Sequence, residues 1–211
     1  MLRAYWPLND NSNSQVLDYV DDNHGTVYGA SPSNQAVLGQ TTYDFDGSSD
    51  HIKVESGFLS GNTLSVSAWV YIDGKGDDSW NRFVDIQDGA NNNAHGFVWD
   101  EDDNRHGFFT PSGTAYVYSD IQTGRWIHLT GVLTENEARF YKDGSLKASA
   151  SASSSFSNLK VCIGKRYDAN DHTNGRISEV RIYDRPLTSS EVQYLYNVGV
   201  RGVHTTSSKT S

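Results

Sequence analysis

Short segments of alternating apolar and polar residues recur along the whole chain, separated by clusters of Gly, Asp, Asn and Ser. A period of two places successive side chains on opposite faces, so this pattern calls for strands that bury one face each. The clearest case is Leu64 to Ile72, where Leu64, Val66, Ala68, Val70 and Ile72 point one way and Ser65, Ser67, Trp69 and Tyr71 the other. Further strands are expected at Ala4 to Leu8, Gly25 to Ala30, Thr42 to Phe45, His51 to Val54, Arg82 to Ile86, His95 to Trp99 and Gly107 to Thr110. The rest are Thr114 to Ser119, Trp126 to Leu133, Ala138 to Lys142, Leu146 to Ala150, Leu159 to Ile163 and Arg176 to Tyr183. No helices alternate with them, which excludes a parallel βαβ architecture, and no repeat of solenoid or propeller period is present. Asp143-Gly144 marks a tight hairpin, because both residues tolerate the positive φ of a two-residue turn.

The expected fold is therefore all-β, a sandwich or jelly roll, with one short C-terminal helix. That helix is marked by a capping box, Thr188 with Glu191, and by a hydrophobic staple, Leu187 with Val192. About ten helical residues are expected from Ser189, with Gly199 as the stop. The domain then spans residues 1–199, and residues 200–211 form a polar, flexible tail.

The 211 residues carry 36% hydrophobic and 12% aromatic side chains, enough to fill one core. A net charge of -9 repels phosphate backbones and anionic lipid, so nucleic acid is a poor partner. No apolar run is long enough for membrane insertion as a helix. Cys162, the single cysteine, lies in a strand-like run and reads as a small buried hydrophobe. Met1 is followed closely by Tyr5, Trp6, Pro7 and Leu8, with no basic region, apolar stretch or cleavage site. Taken as the natural start, this lacks a standard signal peptide. The setting it suggests is a virion surface or another assembly reached without Sec export, with the cytoplasm or a trimmed extracellular protein as the alternatives.

An ordered set of segments from about residue 4 to 198 resembles the laminin-G-like, concanavalin A-type jelly-roll family. It includes Ala4-Tyr5-Trp6-Pro7-Leu8, Asn23-His24-Gly25-Thr26-Val27-Tyr28-Gly29, Phe45-Asp46-Gly47-Ser48 and Leu64-Ser65-Val66-Ser67-Ala68-Trp69-Val70. It continues with Trp126-Ile127-His128-Leu129-Thr130-Gly131-Val132, Phe140-Tyr141-Lys142-Asp143-Gly144, Ile163-Gly164 and the run from Gly175 to Leu187. The resemblance implies two stacked antiparallel sheets, one of them concave, with long loops along a rim; it does not fix function.

No catalytic residues are indicated. Glucanases of similar architecture need two carboxylates on one strand, and the Glu-x-Asp-x-Glu pattern is absent; Asp100-Glu101-Asp102-Asp103 reads as a solvated turn. There is no Gly-x-Ser-x-Gly, and the seven histidines are scattered without metal-ligand spacing. The 20 Asp against 6 Glu suit a high-salt environment or many cation-binding loops, and carboxylate and amide oxygens in irregular loops are what calcium takes. The candidate ligands are Asp18, Asp21, Asp22 and Asn23, with Glu179 from the last long strand, where similar domains carry acidic residues. Rival loops are Asp73, Asp77 and Asp78, then Asp85 and Asp88, then Asp168 with Asp171.

For a carbohydrate, aromatic rings would stack on sugar faces while amides and charged groups fix hydroxyls. Phe97 and Trp99 share one strand face, Tyr116 and Tyr118 another, Trp80 lies in the loop before Phe83, and Asn92 sits in the polar run Asn91-Asn92-Asn93. Residues 168–174 form a second polar rim loop. The expectation is a non-catalytic recognition or attachment module. Its partner is a glycan or host-surface ligand, in a virion or similar surface assembly. The rivals are a structural protein binding neighbouring assembly subunits and, more weakly, a glycoside hydrolase.

Overall fold

The computed structural model describes residues 1–37, 40–78, 80–88 and 94–206. Strands β1 (Leu2–Trp6), β4 (Ser31–Val37), β5 (Gln40–Asp46), β7 (Leu64–Gly74), β12 (Trp126–Leu133), β13 (Glu137–Lys142), β14 (Ser145–Ser151) and β16 (Asn174–Tyr183) form the first sheet. Strands β2 (Gln15–Val16), β3 (Gly25–Tyr28), β6 (His51–Gly61), β8 (Trp80–Gln87), β9 (His95–Asp100), β10 (Arg105–Thr110), β11 (Gly113–Val117) and β15 (Phe156–Ile163) form the second. Pairing is antiparallel throughout; the first sheet runs β14-β13-β12-β7-β16-β5-β4 with β1 added on β16, the second β11-β10-β9-β8-β15-β6-β3-β2. Among the described residues, two sheets and one helix form the sandwich expected from the alternation and the jelly roll that the resemblance implies.

The core lies between the sheets and is filled by Trp6, Tyr43, Phe45, Phe83, Phe97, Phe108 and Phe140, all nearly inaccessible. Cys162 is buried and free, and burial pushes its thiol well above the usual range. Asp143 and Gly144 join β13 to β14 with φ of 51° and 74°, the two positive values a type I′ turn requires. Both β2 and β4 escape the sequence pattern. The first has only two residues, and the second is polar, starts Ser31-Pro32-Ser33 and forms the sheet edge, where a proline is tolerated. Asp100 departs from the solvated turn expected of its cluster, being buried in β9 and ion-paired to Arg105 at 2.8 Å.

Helix α1 (Ser189–Thr206) closes the outer face of the first sheet. The Glu191 amide donates to Thr188 Oγ1 at 3.2 Å and the Thr188 amide to the Glu191 carboxylate at 2.8 Å, while Leu187 and Val192 pack on Val132 and Tyr141. The expected stop at Gly199 is corrected: the helix runs on to Thr206. Gly199 serves close approach instead, since a Cβ there would lie 2.3 Å from the Trp69 ring, and Tyr196 stacks on the same ring at 5.8 Å. Thus the second face of Leu64 to Ile72 carries a helix, and the sheet face left without one is the outer face of the second sheet.

Candidate functional site

Alternation sorts β8 to β11 into core and outer residues, with one break. Between β8 and β9 the register shifts between Arg82 and Asp85, a β-bulge. Phe83, Val84 and Ile86 join the core, so Arg82, Asp85 and Gln87 turn to the outer face although the first two are three residues apart. Across the sheet, Phe108 is core and Phe109 outer; Ala115 is core and Tyr116 outer.

These outer residues build a polar pocket over aromatic rings. The Arg82 guanidinium lies 4.0 Å from the centroid of Phe109 and 5.4 Å from that of Trp80, and its Nε donates to Asp171 at 3.4 Å. Asp85 Oδ2 accepts from Gln87 Nε2 at 2.7 Å and from the Tyr167 amide at 2.8 Å. Gln87 Nε2 also reaches Asp168 at 3.3 Å, and Arg166 pairs with Asp168 at 3.1 Å and with Asp171 at 3.8 Å. The loop is pinned by Thr173, whose hydroxyl donates to the Arg82 carbonyl at 2.8 Å. A cavity of about 280 Å³ opens here, lined by Arg82, Asp85, Phe109, Thr110, Pro111 and Arg166.

Among the described residues, three buried polar atoms lack a partner here: Arg82 Nη1 and Asp85 Oδ1 on residues that line the pocket, and Gln87 Oε1 on the side chain bonded to Asp85. Arg82 is 9% exposed, Asp85 and Gln87 not at all. A buried polar group without a hydrogen bond costs about 1–3 kcal/mol, so three together mark a place built to be completed by something else. Burial raises the Asp85 carboxyl to about 6, with Arg82 working against it, and lowers Arg82, opposed by Asp85 and Asp171.

The sequence-expected aromatic residues divide between core and face. Phe97 and Trp99 are corrected: both are buried between the sheets, Phe97 at 6.1 Å from Phe108, and neither ring is free to stack on a ligand. Trp80 is corrected from a loop to the first residue of β8, opposite Asp100. There it borders the pocket, and Arg105 lies between it and Tyr116 at 5.5 and 4.5 Å. Tyr118 follows β11, 73% exposed, its ring 6.2 Å from Tyr116. Asn92 lies outside the described residues.

Most of the expected metal ligands are engaged by groups of the protein itself. Asp18 is held by β1 and its own loop: its carboxylate accepts from the Tyr5 amide at 2.9 Å, the Val20 amide at 3.0 Å and Asn23 Nδ2 at 3.1 Å. Asn23 Oδ1 accepts from Ser56, and Asp21 accepts from the Asp22 amide. Glu179 takes the Tyr5 hydroxyl at 2.9 Å and pairs with Arg181 at 2.5 Å. Among the described residues no group of three or more His, Cys, Asp or Glu is placed to hold a metal ion. Of the rival loops, Asp85, Asp168 and Asp171 do meet, but around Arg82 and Arg166, whose guanidinium groups stand where a cation would.

Sequence reasoning missed Arg82, Asp85 and Gln87 as a set. The available signal was the interleaving of Arg82, Asp85 and Gln87 with the apolar Phe83, Val84 and Ile86 in the C-terminal part of one strand.

Two sheets packed face to face, with a polar pocket on the helix-free face, place the molecule among the lectin-like β-sandwiches. Residues 46–193 match the family described as the concanavalin A-like lectin/glucanases superfamily, and the chain belongs to it. Domain 4 of the GH43 extracellular arabinanase AbnA from Geobacillus stearothermophilus, solved with arabinotriose, is similar at 21% identity and a TM-score of 0.77, over 92% of this chain and 98% of that one. Trypanosoma rangeli sialidase is similar at 13% identity and a TM-score of 0.69, over 92% of this chain and 32% of its own. The botulinum neurotoxin serotype G binding domain is similar at 14% identity and a TM-score of 0.69, over 94% of this chain and 51% of its own. No curated protein matches the chain. Among the described residues no helix is long and apolar enough to cross a membrane.

Proposed function

We propose that this chain is a non-catalytic recognition or attachment module that binds carbohydrate on the outer face of its second sheet. The observation that carries this is the trio of buried, unpartnered atoms on Arg82, Asp85 and Gln87 beside the rings of Phe109 and Trp80. Hydroxyl groups satisfy such atoms and the apolar face of a sugar suits such rings. The similarity to an arabinanase domain solved with arabinotriose supports the same ligand class. Display on a virion or other surface assembly, with the glycan on a host surface, belongs to this proposal.

The test is affinity electrophoresis of the chain through gels containing soluble polysaccharides, with a reducing-end assay on the same mixtures. Retardation without new reducing ends is expected, and Arg82→Ala should abolish the retardation. Hydrolysis is the competing chemistry, and Asp85, raised to about 6, is a candidate acid beside Asp171, which burial also raises. Turnover lost in Asp85→Asn would replace the binding module with an enzyme. Oligomerisation in solution that buries Tyr116 and Tyr118, with no affinity for any glycan, would favour a structural assembly protein instead.

A further inference from the structure

We propose that the sugar seated over Arg82, Asp85 and Gln87 is an uncharged residue presenting neighbouring hydroxyls, and that acidic sugars are excluded; this rests on the carbohydrate reading above. The unpartnered atoms are one donor, Arg82 Nη1, and two acceptors, Asp85 Oδ1 and Gln87 Oε1. The two acceptor side chains lie side by side, because Gln87 Nε2 donates to the other Asp85 oxygen at 2.7 Å. A hydroxyl both donates and accepts, so a pair of hydroxyls completes all three atoms. A carboxylate or sulfate only accepts. It would satisfy Arg82 and leave the two acceptors desolvated beside a second negative charge.

The arginine geometry points the same way. Side-on recognition of a carboxylate uses the Nε–H and one parallel Nη–H of a guanidinium. The Arg82 Nε–H is already given to Asp171 at 3.4 Å, and Arg166 is held by Asp168 at 3.1 Å and Asp171 at 3.8 Å. Two arginines here face Asp85, Asp168 and Asp171, so the pocket has no spare positive charge, and the chain around it carries a net charge of -9. The rings continue from Trp80 on β8 to Tyr116 on β11, three strand spacings or roughly 14 Å across the sheet. That length leaves room for sugar residues on one side of the pocket.

The experiment is calorimetric titration of the whole chain with matched neutral and acidic probes: lactose against sialyllactose, galactotriose against trigalacturonate, and arabinotriose. A glycan array widens the neutral set. The expected result is that at least one neutral probe binds and its acidic match binds about tenfold or more weakly, the equivalent of one unmade buried hydrogen bond. Asp85→Asn, which turns an acceptor into a donor, should weaken the neutral probe by a similar factor. Gln87→Met is the second variant should the first fail to fold, with melting curves as the control. An acidic probe binding more tightly than its neutral match, with affinity falling steeply in salt, would overturn the charge argument and leave the carbohydrate reading standing. Silence from every glycan would overturn both.

Discussion

Replacing Asp85 by Asn should stabilise the fold at neutral pH while weakening ligand affinity about tenfold. Asp85 is wholly buried and carries its carboxyl at about 6, above the ordinary 3.8, chiefly because burial penalises the charged form. That difference corresponds to about 3 kcal/mol of penalty on the folded state once the group is ionised. The sign follows from proton counting. Between the ordinary value and about 6 the folded chain binds the extra proton, so this group's contribution to stability falls as pH rises through that window and is most unfavourable above it. Asn keeps an oxygen for the Tyr167 amide and Gln87 while losing the charge, and Arg82 retains Asp171. Losing one counterion of a buried guanidinium offsets part of the gain, so a net stabilisation of about 1–2 kcal/mol is expected at pH 7. The assay is urea denaturation of both chains at pH 7.5 and 4. Burial lowers His106 to about 4 and His128 to about 3, so both destabilise the fold as pH drops below the ordinary histidine value. Those two act on both chains alike and cancel in the difference. The advantage of Asp85→Asn should be present at pH 7.5 and nearly gone at pH 4. A variant less stable than the parent at pH 7.5, or a difference that ignores pH, would refute the electrostatic argument.

Thr188→Ala should lower stability by about 1 kcal/mol in a denaturation curve, since it removes the acceptor of the Glu191 amide. Gly199→Leu should undock α1, because even its Cβ would lie 2.3 Å from the Trp69 ring; a loss of about 1–3 kcal/mol and a changed near-ultraviolet dichroism are expected. Calcium chelation at high ionic strength should leave the melting temperature unchanged, as should Asp21→Asn. A drop restored by calcium and much less by magnesium would place a cation among residues 18–23 after all.

The sandwich could be read from the sequence because burial of one strand face imposes period two, and Leu64 to Ile72 or Trp126 to Leu133 cannot satisfy it otherwise. Which face is which could not. Phe97 with Trp99 and Tyr116 with Tyr118 have the same spacing, yet pairing of Phe97 with Phe108 turns the first pair inward, while the position of Ala115 turns the second outward. That information lies in the register between strands, which no single strand contains. Arg82 and Asp85 were hidden for a related reason, since a bulge between them breaks the alternation used to assign faces. The helix start was legible from local chemistry in Thr188 and Glu191, whereas its length depended on Trp69, far away in the chain.

The bulge in β8 also works as a phase shift. Upstream of it Arg82 is outward; after it Asp85 and Gln87 are outward while Ile86 stays in the core. Removing one residue between positions 82 and 85 would send both polar side chains inward and throw Ile86 into solvent. The outer face can therefore change its residue types one at a time, and with them its ligand, but it cannot change its count. In a lineage carrying this site, substitutions at the outward positions of β8 are open to drift, whereas insertions and deletions within it are closed.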